Sequence, residues 1–229
     1  MAGEELSRPI WSMLNGPRAD LAVGSRDALR IDPGYGPFAA ARDAGSAAQA
    51  ALADIVRTSA DEVWLVEPQR WPAPNGTRIV RTAPLLQMVA PPDGDGAERA
   101  TDIEPLSKKD VAAMTELALA TKPGPWGPKT HLYGQFYGIR DGSKLAAMAG
   151  ERMQVSPCFA EVSAVCTWPE YRGQGMARRL ITHVMQSQRA RGKTPFLHSY
   201  AHNDGAIALY KSIGFEAARS MVVTVLGPA

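Results

Sequence analysis

A glycine-rich turn that leads into an amphipathic stretch is the part of this sequence best suited to chemistry. The turn consists of Arg172, Gly173, Gln174, Gly175, Met176, Ala177 and Arg178. After it, apolar residues recur at helical spacing, at Leu180, Ile181, Val184 and Met185. A helix N-terminus presents unpaired N–H groups and about half a positive charge, so it can bind a phosphate without a lysine. The sequence therefore predicts an anion site at residues 172–178, with arginines adding charge at its rim.

Charge is distributed unevenly along the chain, although the net charge at pH 7 is only +2. Residues 1–100 carry ten Arg and no Lys against thirteen acidic residues, whereas residues 101–229 carry fifteen Lys and Arg against ten. The basic half contains the predicted anion site, which suits a polyanionic ligand. The excess is small and is not interleaved with aromatic residues, so nucleic-acid binding is not expected.

Compartment and metal content can be judged from the N-terminus and the cysteines. The first residues, MAGEE, lack the apolar segment of a signal peptide, and no apolar run approaches the roughly 18 residues that span a bilayer. The two cysteines, Cys158 and Cys166, are consistent with free thiols in a reducing compartment. We expect a cytoplasmic protein with no membrane partner. No clustered Cys and His spacing predicts a metal site.

Residues 1–95 are predicted to form a small α+β region. A helix is expected over residues 46–57, and short extended runs are expected at 62–66, 78–81 and 85–89. Residues 1–45 include a Pro- and Gly-rich passage that favours irregular connections. Residues 90–100, with the sequence APPDGDGAERA, have the composition of a linker to a second region.

The second region, residues 101–229, alternates strand and helix signals. A strand near Thr101 and a capping-box-like start at Ser107 precede a helix that should end before Pro123. The elements expected after it are a hairpin over 136–149, strands at 160–167, 196–200 and 221–226, and helices that begin near Met176 and Asn203. This order predicts an α/β (α+β) fold with a mixed sheet.

A dinucleotide-binding fold is the competing interpretation of the glycine turn. That motif requires a third glycine where this chain has Arg178, and an acidic residue about twenty positions on, where it has Arg191 and Lys193. The competing fold is therefore not supported.

Two motifs together resemble the GNAT superfamily of acyl-CoA-dependent N-acyltransferases. Residues 172–177 match the superfamily's diphosphate loop, Q/R-x-x-G-x-G/A, at every specified position. The second motif, N-x-x-A-x-x-x-Y followed by Gly-Phe, is met by Asn203, Ala206, Tyr210, Gly214 and Phe215. The resemblance covers residues 101–229 well and the first hundred poorly. It implies a mostly antiparallel central sheet flanked by helices, and acetyl-CoA as co-substrate.

The resemblance also implies roles for residues beyond the loop. The strand before it should be bulged, so that the backbone of Val165, Cys166 and Thr167 meets the thioester and supplies a preorganised N–H to its oxygen. Tyr210 would protonate the departing thiolate. Asn203 would cap its helix and contact the pantetheine arm.

The proton acceptor for the amine stays open at this stage. Glu161 stands where histone-acetylating members carry a glutamate, and burial in an apolar strand would raise its pKa towards a useful value. His198 lies five residues before Asn203, where some ribosomal-protein-acetylating members place a base, and a chain of water molecules is the third alternative. Cys166 suggests a covalent route, but no His or Asp is paired with it, so direct attack in a ternary complex is favoured.

The function implied is transfer of an acetyl or acyl group from acetyl-CoA to a primary amine on a small molecule or peptide. A polyamine, an aminoglycoside-like amine, an amino acid and a protein N-terminus all remain open as acceptors, and Trp126 and Tyr133 are candidates to line the acceptor cleft. A non-catalytic acyl-CoA sensor is the alternative from another class. The first 95 residues are interpreted as a GNAT-like remnant, a wall of the acceptor cleft or the contact of a homodimer.

Overall fold

The structure is a computed structural model that describes residues 3–91 and 102–229. Its main element is an eight-stranded sheet, composed of β4 (Val63–Glu67), β5 (Thr77–Val89), β6 (Ile103–Pro105), β7 (Phe136–Asp141), β8 (Lys144–Gln154), β9 (Phe159–Thr167), β10 (Thr194–Tyr200) and β11 (Glu216–Pro228). A smaller sheet contains β1 (Ala22–Gly24), β2 (Ala28–Ile31) and β3 (Ala39–Ala41). The α-helices are α1 (Pro9–Leu14), α2 (Ser46–Thr58), α3 (Val111–Thr121), α4 (Met176–Ala190) and α5 (Asp204–Ser212).

The strand order of the main sheet is β4-β11-β5-β10-β9-β8-β7-β6. Neighbouring strands pair antiparallel except β9 and β10, which run parallel. The predicted α/β (α+β) class, with a mixed and mostly antiparallel sheet flanked by helices, is confirmed.

Helix α4 lies where the apolar spacing predicted it. Leu180, Ile181, Val184 and Met185 are buried in a core cluster with residues of β7, β8 and β10. Helix α5 begins at the predicted cap, because the Asn203 side-chain oxygen accepts a hydrogen bond from the backbone N–H of Ala206 at 3.2 Å. Both helix starts are therefore held in place next to the end of β9.

The structure differs from the sequence prediction in the N-terminal part. The two extended runs at 78–81 and 85–89 are one continuous strand, β5, which includes Pro84. Pro84 is tolerated because pairing of β5 with β10 covers only Leu85 to Val89, so the missing proline N–H lies just beyond that ladder. The short sheet β1–β3 was also not predicted, because its strands are three or four residues long.

Strands from both predicted regions belong to one sheet. β5 lies between β10 and β11, and β4 forms the edge beside β11. Most of the predicted linker, at residues 92–100, and the start of the predicted strand at Thr101 lie outside the described residues. The capping box that opens the second region is present at Ser107 and Asp110.

A bulge interrupts β9 just before the glycine turn, as predicted. Gly150 pairs with Ser163 and Met148 pairs with Cys166, so two β9 residues, Ala164 and Val165, lie opposite a single residue of β8. Ala164 has φ +51°, a left-handed conformation that is costly for an L-residue with a Cβ atom. The parallel pairs between β9 and β10 end at Glu161 and Phe196, so the two strands separate beyond this point.

The strain at Ala164 can be tested by glycine substitution. Ala164→Gly should leave the free energy of unfolding unchanged or raise it by up to about 1 kcal/mol, because glycine adopts positive φ freely. Ala160→Gly, in the regular part of the same strand, should lower it by about 0.5–1 kcal/mol. Urea denaturation measures both, and equal losses at the two positions would contradict a strained bulge.

Candidate active site

A cavity of about 350 Å³ lies where β9 and β10 separate. Its walls include four residues predicted from the sequence, namely Val165 on the bulge, His198 on β10, Asn203 at the start of α5 and Tyr210 within α5. The fold therefore brings together side chains that are up to 45 positions apart in the chain. Glu161, Cys166 and Thr167 do not contribute to these walls.

A second cavity, of about 220 Å³, lies against the glycine turn. Its walls are formed by Thr167, Tyr171, Arg172, Gly173, Gly175, Met176, Ala177, Arg178 and Leu209. Leu209 also borders the first cavity, so the two adjoin. Gly173 and Gly175 have φ values of +78° and +73°, and Gly175 is the N-cap of α4. The turn requires glycine at both positions because a positive φ is costly for residues that have a Cβ atom. Space is not the reason, since a Cβ at either position would meet no atom within 4 Å.

The arginines near this turn already bond to other groups of the protein, which the sequence did not indicate. The Arg178 guanidinium donates to the Ser212 hydroxyl at 2.6 Å, which ties the start of α4 to the end of α5. Arg179 forms an ion pair with Asp102 at 2.5 Å. Arg172 donates weakly to the Thr167 carbonyl at 3.3 Å and stays at the rim of the cavity. The helix N-terminus and Arg172 are thus the main positive features there.

Thr167 supplies an unsatisfied polar atom at the same cavity. Its side-chain Oγ1 is buried and has no hydrogen-bond partner among the described residues. A buried hydroxyl without a partner is uncommon in folded proteins and points to a missing polar ligand or water. With the free helix N-terminus, this atom fits the diphosphate end of a coenzyme A molecule.

A buried polar network crosses four adjacent strands beside the first cavity. Glu161 on β9 is 1% exposed and receives two hydrogen bonds from Arg152 on β8, at 2.9 and 3.0 Å. His198 Nδ1 on β10 lies 2.8 Å from the same carboxylate. Gln87 on β5 completes the network, with its Nε2 atom 3.0 Å from His198 Nε2 and 2.9 Å from the carbonyl of Leu6.

The partners of His198 define which of its nitrogens carries the proton. Glu161 can only accept, so Nδ1–H donates to its carboxylate. When the ring is neutral, the Gln87 amide N–H donates to Nε2, which then holds the lone pair. His198 is oriented from both sides, and its basic atom is Nε2.

The expectation that burial raises the pKa of Glu161 is wrong. Burial alone would raise it, but the charge of Arg152 and hydrogen bonds from His198 and Arg152 outweigh burial and lower the pKa to about 2. The sequence could not show this, because Arg152 meets Glu161 only through the pairing of β8 with β9. At neutral pH Glu161 is a fixed negative charge.

Tyr210 keeps its proton at neutral pH. Burial raises the pKa of its phenol, and its ring packs edge-on against Phe215 with centroids 6.0 Å apart. The hydroxyl can therefore donate a proton, although it is a weaker acid than an exposed tyrosine.

Cys166 is unsuited to carry an acyl group. It is 5% exposed, its thiol donates to the Ala164 carbonyl at 3.4 Å, and burial raises its pKa to about 12. A thiol of this kind is not a nucleophile near neutral pH. The geometry of Cys166 therefore gives no support to a covalent route through its thiol.

Of the two aromatic residues expected at the acceptor cleft, Tyr133 lies in the core, whereas Trp126 borders a small pocket next to the first cavity. Tyr133 is 2% exposed and packs edge-on against Tyr35 in the core, and burial raises the pKa of its phenol. Trp126 packs against Phe136 and donates to the Thr115 hydroxyl. The first cavity is also lined by two aromatic residues that sequence reasoning missed, Phe38 and Trp64.

Arg152 and Gln87 were also missed, although each gives a faint signal in the sequence. Gln87 interrupts the apolar strand segment LLQMV, and Arg152 follows Glu151 directly after the run LAAMAG. A polar side chain in a buried strand requires a partner, but the identity of that partner depends on strand order.

In residues 3–91 and 102–229, no helix is long and apolar enough to cross a membrane. The same residues contain no group of three His, Cys, Asp or Glu side chains placed to hold a metal ion.

Comparison with known proteins agrees with this geometry. Residues 136–223 match the FR47-like protein family. N-alpha-acetyltransferase RimI of Mycobacterium tuberculosis is 32% identical over 121 residues, which are 48% of this chain and 75% of that protein. The ribosomal protein bS18-alanine N-acetyltransferase of Escherichia coli K12 is 30% identical over 122 residues, 51% of this chain and 81% of that protein.

A crystal structure from Novosphingobium aromaticivorans, described as an acetyltransferase of the GNAT family, matches nearly the whole chain. It is 53% identical, has a TM-score of 0.93, and the match covers 99% of this chain and 100% of that one. The chain belongs to the GNAT family. It is an acyl-CoA-dependent N-acetyltransferase, as the two sequence motifs predicted.

The charge of Glu161 should make stability depend on pH in acid. Its folded pKa of about 2 lies below the ordinary value of 4.5, so its contribution is complete above pH 4.5 and is lost as the pH falls towards 2. We expect a loss on the order of 3 kcal/mol across this window. Urea denaturation at a series of pH values measures it.

The matched variant for this measurement removes both buried charges. Glu161→Gln alone should cost about 3–5 kcal/mol, because Arg152 is left without its counter-charge. The double variant Arg152→Met, Glu161→Gln should recover much of this loss and should show a flatter dependence between pH 4.5 and 2. Identical slopes in the wild type and the double variant would refute the assignment.

Proposed function

We propose that the enzyme transfers an acetyl group from acetyl-CoA to a primary amine by direct attack within one ternary complex. The observation that carries the proposal is the junction of two cavities at Leu209, one against the glycine turn and one containing Val165, His198 and Tyr210. A co-substrate that lies across this junction has its diphosphate at the helix N-terminus and its acyl end at the bulge. Two free thiols, Cys158 and Cys166, agree with action in the cytoplasm.

Binding of the co-substrate would fall to the turn at residues 172–178 and to the start of α5. N–H groups at the head of α4 face the diphosphate, and Arg172 adds a full charge. Thr167 Oγ1 supplies a further donor from the cavity wall. Asn203 borders the first cavity while it caps α5, so it lies beside the path of the pantetheine arm.

The bulge would serve the acyl end. Acetyl-CoA supplies a thioester, and its carbonyl oxygen gains negative charge when an amine attacks. Val165 lies where β9 no longer pairs with β10, so its backbone can face the cavity instead of a neighbouring strand. A fixed N–H donor at this point is worth a few kcal/mol of barrier in related acyl transfers.

Proton removal from the amine is assigned to His198 Nε2, which can accept a proton once the Gln87 N–H has turned away from its single lone pair. An alkyl amine with a pKa near 10 is only about 0.1% free base at neutral pH, so a proton acceptor is useful. Glu161, with its low pKa, is a poor acceptor but an effective counter-charge for an imidazolium. Its proposed role is to position His198 and stabilise the protonated ring.

Gln87 would have to respond when His198 gains a proton. Protonated Nε2 and the Gln87 amide N–H would then be two donors facing each other across 3.0 Å. The other amide atom, Gln87 Oε1, is buried and has no partner among the described residues. Rotation of the amide would present this oxygen to the ring but would give up the hydrogen bond from Gln87 to the Leu6 carbonyl, so protonation of His198 would cost that bond.

Tyr210 is the proposed donor to the departing thiolate. Tyr210→Phe should lower kcat about 100-fold or more and leave the KM for acetyl-CoA near the wild-type value, because only proton donation is removed. Tyr137→Phe is the matched control, since that hydroxyl bonds to Ser187 at 2.9 Å outside both cavities.

Release of CoA with a panel of primary amines is the assay for these variants and for the proposed function. Turnover by the wild type and by Tyr137→Phe, with a large loss in Tyr210→Phe, supports the assignment. Tight acetyl-CoA binding without turnover on any amine would overturn it and favour the sensor.

Thr167 allows a separate test of the binding site. Thr167→Val should weaken acetyl-CoA binding about fivefold to tenfold by calorimetry, because a hydrogen bond is lost. The free energy of unfolding without ligand should stay constant or rise, because an unpaired buried hydroxyl is removed. Thr224→Val is the control, because Thr224 Oγ1 accepts a hydrogen bond from the backbone N–H of Trp71. In this variant the free energy of unfolding should fall while the affinity for acetyl-CoA is unchanged. Unchanged affinity in Thr167→Val would contradict the contact.

A further inference from the structure

One part of the lining of the 350 Å³ cavity is apolar. It consists of Phe38, Trp64, Val66, Leu85, Met153 and Val223. Most of these residues come from the N-terminal part of the chain, in or next to β4 and β5. We name this surface the apolar wall. An acceptor in the cavity would bury its body against it, which favours an apolar body.

The charges that border the cavity have one sign. Arg152 and Lys122 contribute to its lining, and no Asp or Glu among the described residues does. Glu161, which lies in the network beside the cavity, is 1% exposed and is already bonded to Arg152 and His198. A second ammonium group on the acceptor would therefore lose its water without gaining a counter-charge, which is costly.

The aromatic rings of the apolar wall already contact arginines of the chain. A cation can bind to the face of a tryptophan or phenylalanine ring. The Arg81 guanidinium lies 4.4 Å from the centroid of Trp64, and Arg152 lies 5.0 Å from that of Phe38. The two rings pack edge-on with centroids 6.4 Å apart, so each ring is held in place. One face of each ring is thus taken by a resident arginine, whose charge disfavours a second cation on the same ring.

The size of the cavity limits the acceptor further. Small-ligand sites span about 300–1,000 Å³, and this one, at about 350 Å³, must also hold the acyl end of the co-substrate. Its polar side chains include Ser199 and Asn203 near His198, and Arg152, which contacts the Phe38 ring. A peptide is too large to lie within this volume beside the acyl end.

We infer that the acceptor is a compact monoamine with an apolar body, and that the apolar wall selects against polyamines, aminoglycosides and peptide N-termini. This inference rests on the proposed function and names its substrate class. The reacting nitrogen lies near His198, and the rest of the molecule lies against Trp64 and Phe38. Specificity then comes both from contact with the wall and from the unpaired charge that a second ammonium would bring.

A matched pair of amines tests the inference. Hexylamine and 1,6-diaminohexane have the same carbon chain and differ by one terminal ammonium. We expect kcat/KM for hexylamine to exceed that for the diamine by about 100-fold, the range in which an apolar pocket discriminates. A short peptide with an N-terminal alanine and spermidine complete the panel, with CoA release as the readout.

Variants of two tryptophans show whether the wall causes the preference. Trp64→Ala should raise the KM for hexylamine about tenfold and narrow its advantage over the diamine, while acetyl-CoA affinity by calorimetry stays unchanged. Trp71→Ala is the control, because its ring packs on the α2 cluster and does not border the cavity. Equal effects of the two substitutions would overturn the role of Trp64.

The outcomes separate this inference from the function on which it rests. Turnover of the diamine, spermidine or the peptide at least as efficient as that of hexylamine overturns the monoamine preference and leaves N-acetyl transfer intact. Absence of CoA release with every amine, despite acetyl-CoA binding, overturns the proposed function and the inference together. Preference for hexylamine that Trp64→Ala reduces supports both.

Discussion

Separation of β9 from β10 is the constraint on which the candidate site depends. The parallel ladder ends at Glu161 and Phe196, and the bulge at Ala164 then turns β9 away from its neighbour. A continuous sheet would close the space that both cavities use. The left-handed backbone of Ala164 costs free energy, so burial of the surrounding core must hold it in place. The backbone strain at Ala164 and the opening of the cavity therefore both arise from the bulge in β9.

The polar network beside the cavity lies at the point where that ladder ends. Arg152, Glu161, His198 and Gln87 belong to β8, β9, β10 and β5, which are adjacent in the sheet. Side chains thus connect four strands just before two of them separate. A buried ion pair is weak evidence for stability, but loss of one partner would leave a charge without compensation. The residues that orient His198 therefore lie where the two strands begin to separate.

Local patterns predicted much of the C-terminal part. Some features depend only on residues that are close together in the chain, so the sequence shows them directly. They are the apolar spacing in α4, the cap at Asn203 and the glycines at 173 and 175. The direction of the Glu161 pKa shift was mispredicted because it depends on Arg152, which is nine residues away and on another strand. Gln87 and His198 meet across 111 positions, and Phe38 and Trp64 reach the cavity through the N-terminal segments. Such contacts require the strand order, which periodicity alone does not specify.

The position of β5 has a consequence for how the chain acquires its structure. β5 pairs with β10 on one side and with β11 on the other, although more than a hundred residues separate β5 from either strand. During synthesis, β5 leaves the ribosome before β10 and β11 have been made, so neither strand is yet present to pair with it. Contacts so distant in sequence slow folding and leave unpaired edges exposed in the meantime. Nascent chains that end before β11 should therefore be clients for chaperones.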